Sequence, residues 1–306
     1  MKAWRRYGLI AALVLMFAAF SLATPTFLTL PNLKSLIVNH FAILSLASLA
    51  MTLVVAAGGI DLSVGTAIDF ASLAYITVLA RDAGAAPAIA AALAAAAAVG
   101  VFNAALIAGL RIPPFLATLG TLFIGQSVQQ LATDGGAPIY LIAGAPRPIF
   151  ALIDAVRLWV VAGGVVFVGA LLARSVFGRR VLALGIAPAV ARYSGLPVRR
   201  DMAWVMVVAS LIAGTAGVVL SSSVRSYAPL SGNAYLMDAI GATLLGTTVS
   251  AMGRANVIGT LIGVLLLSIV KNGLLLVGMS FYWQQVASGV VILLVLAISF
   301  RGRDRS

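Results

Sequence analysis

The sequence predicts an all-α, polytopic integral membrane protein of about ten transmembrane helices, one of them broken near residues 58–65, and three observations carry that prediction. Hydrophobic residues make up 62% of the chain and charged residues 9%, at a mean hydropathy of +1.12, which a soluble fold does not tolerate. Apolar runs of about 20 residues, enough to cross a bilayer as helix, recur along the whole length. The runs are continuous and rich in Leu, Ala and Gly. A transmembrane barrel would instead alternate apolar and polar residues.

The spans fall at 8–30, 33–57, 60–80, 86–110, 113–132, 159–173, 202–224, 237–252, 257–277 and 283–300. An even number puts both termini on one face. That face collects Lys2, Arg5 and Arg6, then Arg111, the group Arg174, Arg179, Arg180, Arg192, Arg199 and Arg200, then Arg254 and the tail Arg301, Arg303 and Arg305. The opposite face holds only Lys34, Arg81, Arg147, Arg157 and Arg225. The positive-inside rule therefore assigns the first face to the cytoplasm. The net charge of +12 is an orientation signal, with none of the interleaved aromatics of a nucleic-acid surface. Residues 2–23 resemble a signal peptide with a site at Ser21-Leu22-Ala23. The length of the apolar run and the spans that follow favour a retained first helix.

Residues 1–306 form a single transmembrane domain with no stretch polar and long enough to bury a core of its own. Residues 133–158, with Pro138, Pro146 and Pro148, read as an irregular extracytoplasmic loop, with a short surface helix within it as the alternative. Residues 174–201 read as a cytoplasmic loop in which Pro188 opens a short helix and Gly195 closes it. Such a helix suits docking of a cytoplasmic partner, and a basic loop that only sets topology is the alternative.

Gly58-Gly59-Ile60-Asp61-Leu62-Ser63-Val64-Gly65 interrupts an apolar run with three glycines beside a carboxylate. An acid inside a membrane segment is costly unless it faces a cavity, a bundle interior or a partner. Glycines at that depth weaken the helix where protein surrounds it. Asp61 therefore reads either as a cap or loop residue ahead of Ser63 or as part of a pathway. Asn103, Gln126, Gln129 and Gln130 are neutral amides inside spans, suited to exchanging hydrogen bonds with a hydroxylated solute and equally to stapling helices. Gly259 and Gly263 share one helical face and read as packing residues. Phe281, Tyr282 and Trp283 read as an interfacial belt, His40 as a helix-end residue, and Lys271 as a snorkelling cation, with pairing to an acid or a solute hydroxyl as its alternative.

Enzyme readings are weak on several grounds. Cysteine is absent, so there are no disulfides, thiolate metal sites or cysteine nucleophiles. Glutamate is absent too, and no metal-ligand spacing is present. None of Lys2, Lys34 and Lys271 completes a phosphate-cradling loop, and no hydrolase or metalloprotease motif occurs. A channel, an ion-driven transporter, or the membrane subunit of a machine powered by another polypeptide remain.

The segment 58–65, Ile112-Pro113-Pro114-Phe115-Leu116-Ala117-Thr118-Leu119-Gly120, Phe177-Gly178-Arg179 leading to Ala191-Arg192-Tyr193-Ser194-Gly195, Asp238-Ala239-Ile240, residues 259–263, Asn272-Gly273-Leu274 and Trp283-Gln284-Gln285 together resemble the ribose-type permease subunits of bacterial ABC importers. The resemblance runs in order from about residue 42 to 299. It implies a permease that pairs with a second copy or a homologue in the bacterial inner membrane. Two cytoplasmic ATP-binding domains would hold ATP and Mg, and a periplasmic protein would deliver the solute; this chain itself holds no cofactor. The solutes implied are sugars, polyols and sugar-like molecules. The chain departs from the family pattern at Ala187-Pro188-Ala189-Val190-Ala191, where an Asn and an acid are usual, at residues 246–254, where glycines are fewer, and at Lys271, where a neutral residue is common. The candidates for pathway or pore structure are Asp61, Ser63, Asn103, Phe115, Gln126, Asp238 and Asn272, and those for ATPase coupling are Ala187, Ala191, Arg192, Ser194 and Gly195. The alternatives are an ABC permease for nucleosides or branched-chain amino acids, and an ion-coupled secondary transporter using Asp61 or Asp238.

Overall fold

The structure is a computed structural model that describes residues 4–141, 147–250 and 253–300. Helix α1 (Trp4–Ala23) is followed by α2 (Leu30–Ser35), which passes through a π-helical turn (Leu36–Phe41) into α3 (Ala42–Ala56). After residues 57–63, which are not helical, come α4 (Val64–Ala80), α5 (Ala85–Ala104) with a π turn (Ala105–Gly109) at its end, and α6 (Pro114–Leu131). Strand β1 (Ile139–Tyr140) precedes α7 (Arg147–Arg174), α8 (Val176–Ile186), α9 (Pro188–Tyr193) and α10 (Val198–Val224). Strand β2 (Ser226–Tyr227), α11 (Asn233–Thr247), α12 (Val257–Leu276) and α13 (Phe281–Phe300) complete the chain.

The all-α class holds, and the stretches Leu30–Ala56, Ala85–Gly109, Pro148–Arg174, Val198–Val224 and Val257–Leu276 are each long and apolar enough to cross a membrane. Shorter apolar helices cover Tyr7–Ala23, Val64–Ala80 and Phe281–Ala297. The exterior suits hydrocarbon: Val14, Leu15, Phe123, Val166 and Leu293 are all more than half exposed. The break expected near residues 58–65 is a seven-residue link, 57–63, between two separate helices, and α4 begins only at Val64.

Two expectations about the connections need correction. The segment 133–158 is not a loop throughout: α7 starts at Arg147, and Pro148 occupies its first turn, where a missing N–H costs nothing. Ile149, Phe150 and Ile153 are buried there, so apolar packing extends the helix well ahead of residue 159. The first part of that segment also contains β1, which pairs antiparallel with β2 in the register Ile139 to Tyr227 and Tyr140 to Ser226. Residues 174–201 are almost wholly helical, since α8 precedes the expected α9.

Helix α10 lies at the centre of the bundle, against α3, α4 and α5. Small residues permit its close approach: a Cβ on Gly217 would overlap the Ile68 carbonyl of α4, and one on Gly214 would press on Ala96 of α5 at 2.5 Å. On α12, Cβ atoms at Gly259 and Gly263 would strike the carbonyls of Gly246 and Ala242 on α11, so these glycines are packing residues. Buried hydroxyl contacts add to this, with Thr52 Oγ1 and Thr260 Oγ1 at 2.8 Å joining α3 to α12. Helix α1 seals one side of α12, burying Leu9 and laying the Phe20 ring over Gly273.

Candidate functional site

The link between α3 and α4 is held by a chain of polar side chains. Gly58, at φ +81°, turns the backbone away from α3. Asp61 is fully buried, and its Oδ1 accepts from the Ser63 amide at 2.7 Å and from the Ser63 hydroxyl at 2.6 Å. The Ser63 oxygen accepts from Asn103 Nδ2 of α5 at 2.7 Å, and Asn103 Oδ1 accepts from Thr121 Oγ1 of α6 at 2.6 Å. Thr118 Oγ1, also on α6, accepts from the Leu62 amide at 3.2 Å. Two helices, α5 and α6, thus converge on one turn. Asp61 acts there as a local turn former, the geometry that lets Asp replace helical backbone bonding. Its second oxygen, Oδ2, is buried with no partner.

The contact of Asp61 with Ser63 was suggested by the sequence, whereas the structure alone adds Asn103, Thr118 and Thr121 to them. Phe115 lies on α6 near this turn but is 48% exposed on the flank of the chain. Gln126 is half-buried and outside the cluster; the buried amide of α6 is Gln129. Asn272 exchanges paired amide bonds with Asn32 of α2, at 3.1 and 3.0 Å, which pins α2 to α12.

The Asp61 turn touches the helical segment 174–201. A Cβ on Gly185 of α8 would overlap the Ala56 carbonyl, and one on Gly58 would meet Gly185 Cα at 3.1 Å. Only glycine at both positions lets α8 lie against the end of α3. At its other end α8 is capped by Ser175 Oγ, which accepts from the Gly178 amide at 2.8 Å. Arg180 of α8 faces buried Asp201 of α10 at 3.1 Å as an ion pair. Short helix α9 starts at Pro188 after Ala187 and turns out through Ser194 and Gly195, at φ +77°, where the Gly195 amide bonds the Arg192 carbonyl at 3.1 Å. Ala191 is its buried anchor, while Arg192 and Tyr193 are exposed.

A second polar cluster was missed by sequence reasoning although its signal was present. Asp69 of α4 is fully buried, and its Oδ1 accepts from the Gly232 amide at 2.6 Å and from Ser231 Oγ at 3.0 Å. Beside it Gln129 Oε1 accepts from Tyr227 OH at 3.0 Å and from the Leu230 amide at 2.9 Å. Asp69 and Gln129 together hold the segment between β2 and α11 down onto α4 and α6. The argument from the cost of a buried acid that singled out Asp61 applies equally to Asp69.

Arg157 also lies elsewhere than expected. It is buried on α7, paired with Asp154, and its Nη1 donates to the Val38 carbonyl at 3.1 Å and to Asn39 Oδ1 at 3.0 Å. Val38 and Asn39 both lie in the π turn at residues 36–41. Lys271 does not snorkel: its ammonium pairs with Asp238 of α11. His40 sits in the π turn, inside the continuous stretch Leu30–Ala56, and so is not a helix-end residue.

Residues 34–296 match the family described as branched-chain amino acid transport system / permease component. Similar curated proteins cover nearly the whole chain. The ribose import permease protein of Escherichia coli K12 is 34% identical over 97% of this chain and 94% of its own length. The ribose import permease protein of Bacillus subtilis is 32% identical over 96% and 92%, and the L-arabinose ABC transporter permease of Azospirillum brasilense is 31% identical over 98% and 89%. No solved structure matches. Matched over most of its length to the family and end to end to individual permeases, the chain belongs to this family of ABC-importer permease components.

Proposed function

We propose that this chain is the membrane-spanning subunit of an ATP-driven importer for a small sugar or sugar-like solute. The observation that carries this reading is similarity to ribose and arabinose permeases over nearly the whole of this chain. The chain crosses the inner membrane ten times with both termini in the cytoplasm, a count reached by adding the apolar helices Tyr7–Ala23, Val64–Ala80 and Phe281–Ala297, and then α6 and α11, to the five long stretches. It works as a pair of permease subunits with two cytoplasmic ATP-binding domains and a periplasmic solute-binding protein. ATP and Mg belong to the partner, and the solute passes unchanged.

In this reading α8 and α9 form the element on which the ATPase acts. Exposed Arg192 and Tyr193 offer the contact, and Ala191 anchors it. Movement of α8 reaches the Asp61 turn through the Gly58 and Gly185 backbones, then α5 and α6 through Asn103, Thr118 and Thr121. A bistable packing of this kind converts a small push into a switch of access.

The family description favours a second reading, in which the solute is a branched-chain amino acid. A carboxylated solute calls for a free cation or helix N-termini along its path. Among the described residues, the cations that reach the interior, Arg157, Arg180 and Lys271, are already paired with Asp154, Asp201 and Asp238. Uptake of radiolabelled ribose, arabinose, galactose and leucine by cells carrying the chain with its ATPase and binding protein decides between them. The expected result is uptake of a sugar that survives collapse of the ion gradient and is lost without the ATPase. Leucine uptake, or gradient-dependent uptake, would replace this reading.

A further inference from the structure

Between the π turn, α11, α12 and the start of α13 lies a cavity of about 170 Å3, some ten times the roughly 10–15 Å3 that admits a single water. His40, Tyr235, Asp238, Ser268, Lys271 and Gln284 line it. Its wall carries more hydrogen-bonding capacity than the chain uses. The Lys271 ammonium donates to Asp238 Oδ2 and keeps two further N–H groups. Ser268 Oγ is buried and has no partner at all. Gln284 is 8% exposed and uses its amide nitrogen on the Met279 carbonyl at 3.1 Å, so its amide oxygen remains free.

Helix packing does not require the ion pair. Helices α11 and α12 already meet backbone to backbone through Gly246, Gly259 and Gly263. A buried pair that joins helices already in contact contributes little to stability, because desolvation offsets its attraction. An unpartnered hydroxyl in the same cavity is likewise a cost unless something fills it. The wall as a whole is neutral, with a donor and an acceptor side by side, which matches adjacent hydroxyl groups: one donates to the carboxylate while the next accepts from the ammonium. An acid of the same size would have to draw Lys271 away from Asp238 and leave that carboxylate buried without its counter-charge.

We propose that this cavity is a binding site for an uncharged, polyhydroxylated solute, in which Asp238 and Lys271 hold neighbouring hydroxyls and Ser268 supplies a third contact. The inference rests on the sugar-importer reading and adds to it a location and a preference for neutral over acidic solutes.

The chain has no cysteine, so Ser268→Cys places a single thiol in the cavity wall. The probe is whichever of ribose, arabinose or galactose the uptake assay shows to be carried. In the purified permease in lipid nanodiscs, that sugar should slow reaction of the thiol with a small methanethiosulfonate about fivefold or more, while its aldonic acid should not. Ser268→Ala removes a hydroxyl with no internal partner; its thermal stability should equal or exceed that of the parent, while maximal uptake falls about fivefold. If none of the sugars is carried, the importer reading fails and this inference with it. If one is carried, yet gives no protection and Ser268→Ala transports normally, the site is wrong while the importer reading stands. Equal protection by the aldonic acid would overturn the preference for neutral solutes.

Discussion

Asp61 directs one oxygen to both the amide and the hydroxyl of Ser63 and leaves the other unpartnered, so what the turn uses is an acceptor at one position. Asp61→Asn keeps such an acceptor and should retain partial uptake. Asp61→Ala leaves the Ser63 amide without its partner in a buried site and should cost roughly 1–3 kcal/mol of stability, with loss of folding or transport. Expression level and uptake measured for both variants check this. Equal failure of the two would show that the charge itself matters, and wild-type uptake by Asp61→Ala would remove the residue from any role. Asp61 was legible in the sequence because glycines flank it on both sides. Asp69, eight residues on in an unbroken helical pattern, carries the same physical cost without that punctuation, and only its contacts with Ser231 and Gly232 reveal its use.

At the scale of elements, the helices follow from apolar run lengths, and the surprises lie where proline and glycine have two meanings. Pro188 opens α9 as the sequence suggested, whereas Pro148 also opens a helix, α7, in a stretch that the proline count had marked as irregular. A proline in a first turn and a proline in a loop look alike until the residues behind it are seen to pack inward. Gly185 shows the same ambiguity. It lies inside α8 with ordinary helical backbone, and its reason is the Ala56 carbonyl against it. Gly185→Val should force α8 away from the link because backbone cannot move aside as a side chain can. The expected outcome is a protein that inserts but loses uptake, with ATP hydrolysis by the assembled complex no longer stimulated by solute. Arg192→Glu, at an exposed site whose side chain makes no hydrogen bond or ion pair among the described residues, should uncouple in the same way without lowering stability. Normal stimulated hydrolysis and uptake in both would assign residues 174–201 to topology alone.

Across the whole molecule, the distribution of arginine predicts which way round the chain sits. Single cysteines introduced at Ala137 and Ser231 should react with a membrane-impermeant thiol reagent in intact cells, while one at Arg192 should react only after permeabilisation. Labelling of Arg192→Cys from outside would overturn the ten-span arrangement. Composition and run length by themselves determined the membrane class and the all-α fold, and motifs in register carried the resemblance to sugar permeases. These are one-dimensional properties, set by how many apolar residues follow one another and by motifs contiguous in the chain. The tertiary structure alone decided which polar residues meet across the fold: Asn103 with Ser63 and Thr121, Asn272 with Asn32, and Lys271 with Asp238. Those partners lie tens to hundreds of residues apart. In a bilayer, where neighbouring helices and lipid are equally apolar, hydropathy says that a polar side chain must find a partner and is silent about which helix supplies it.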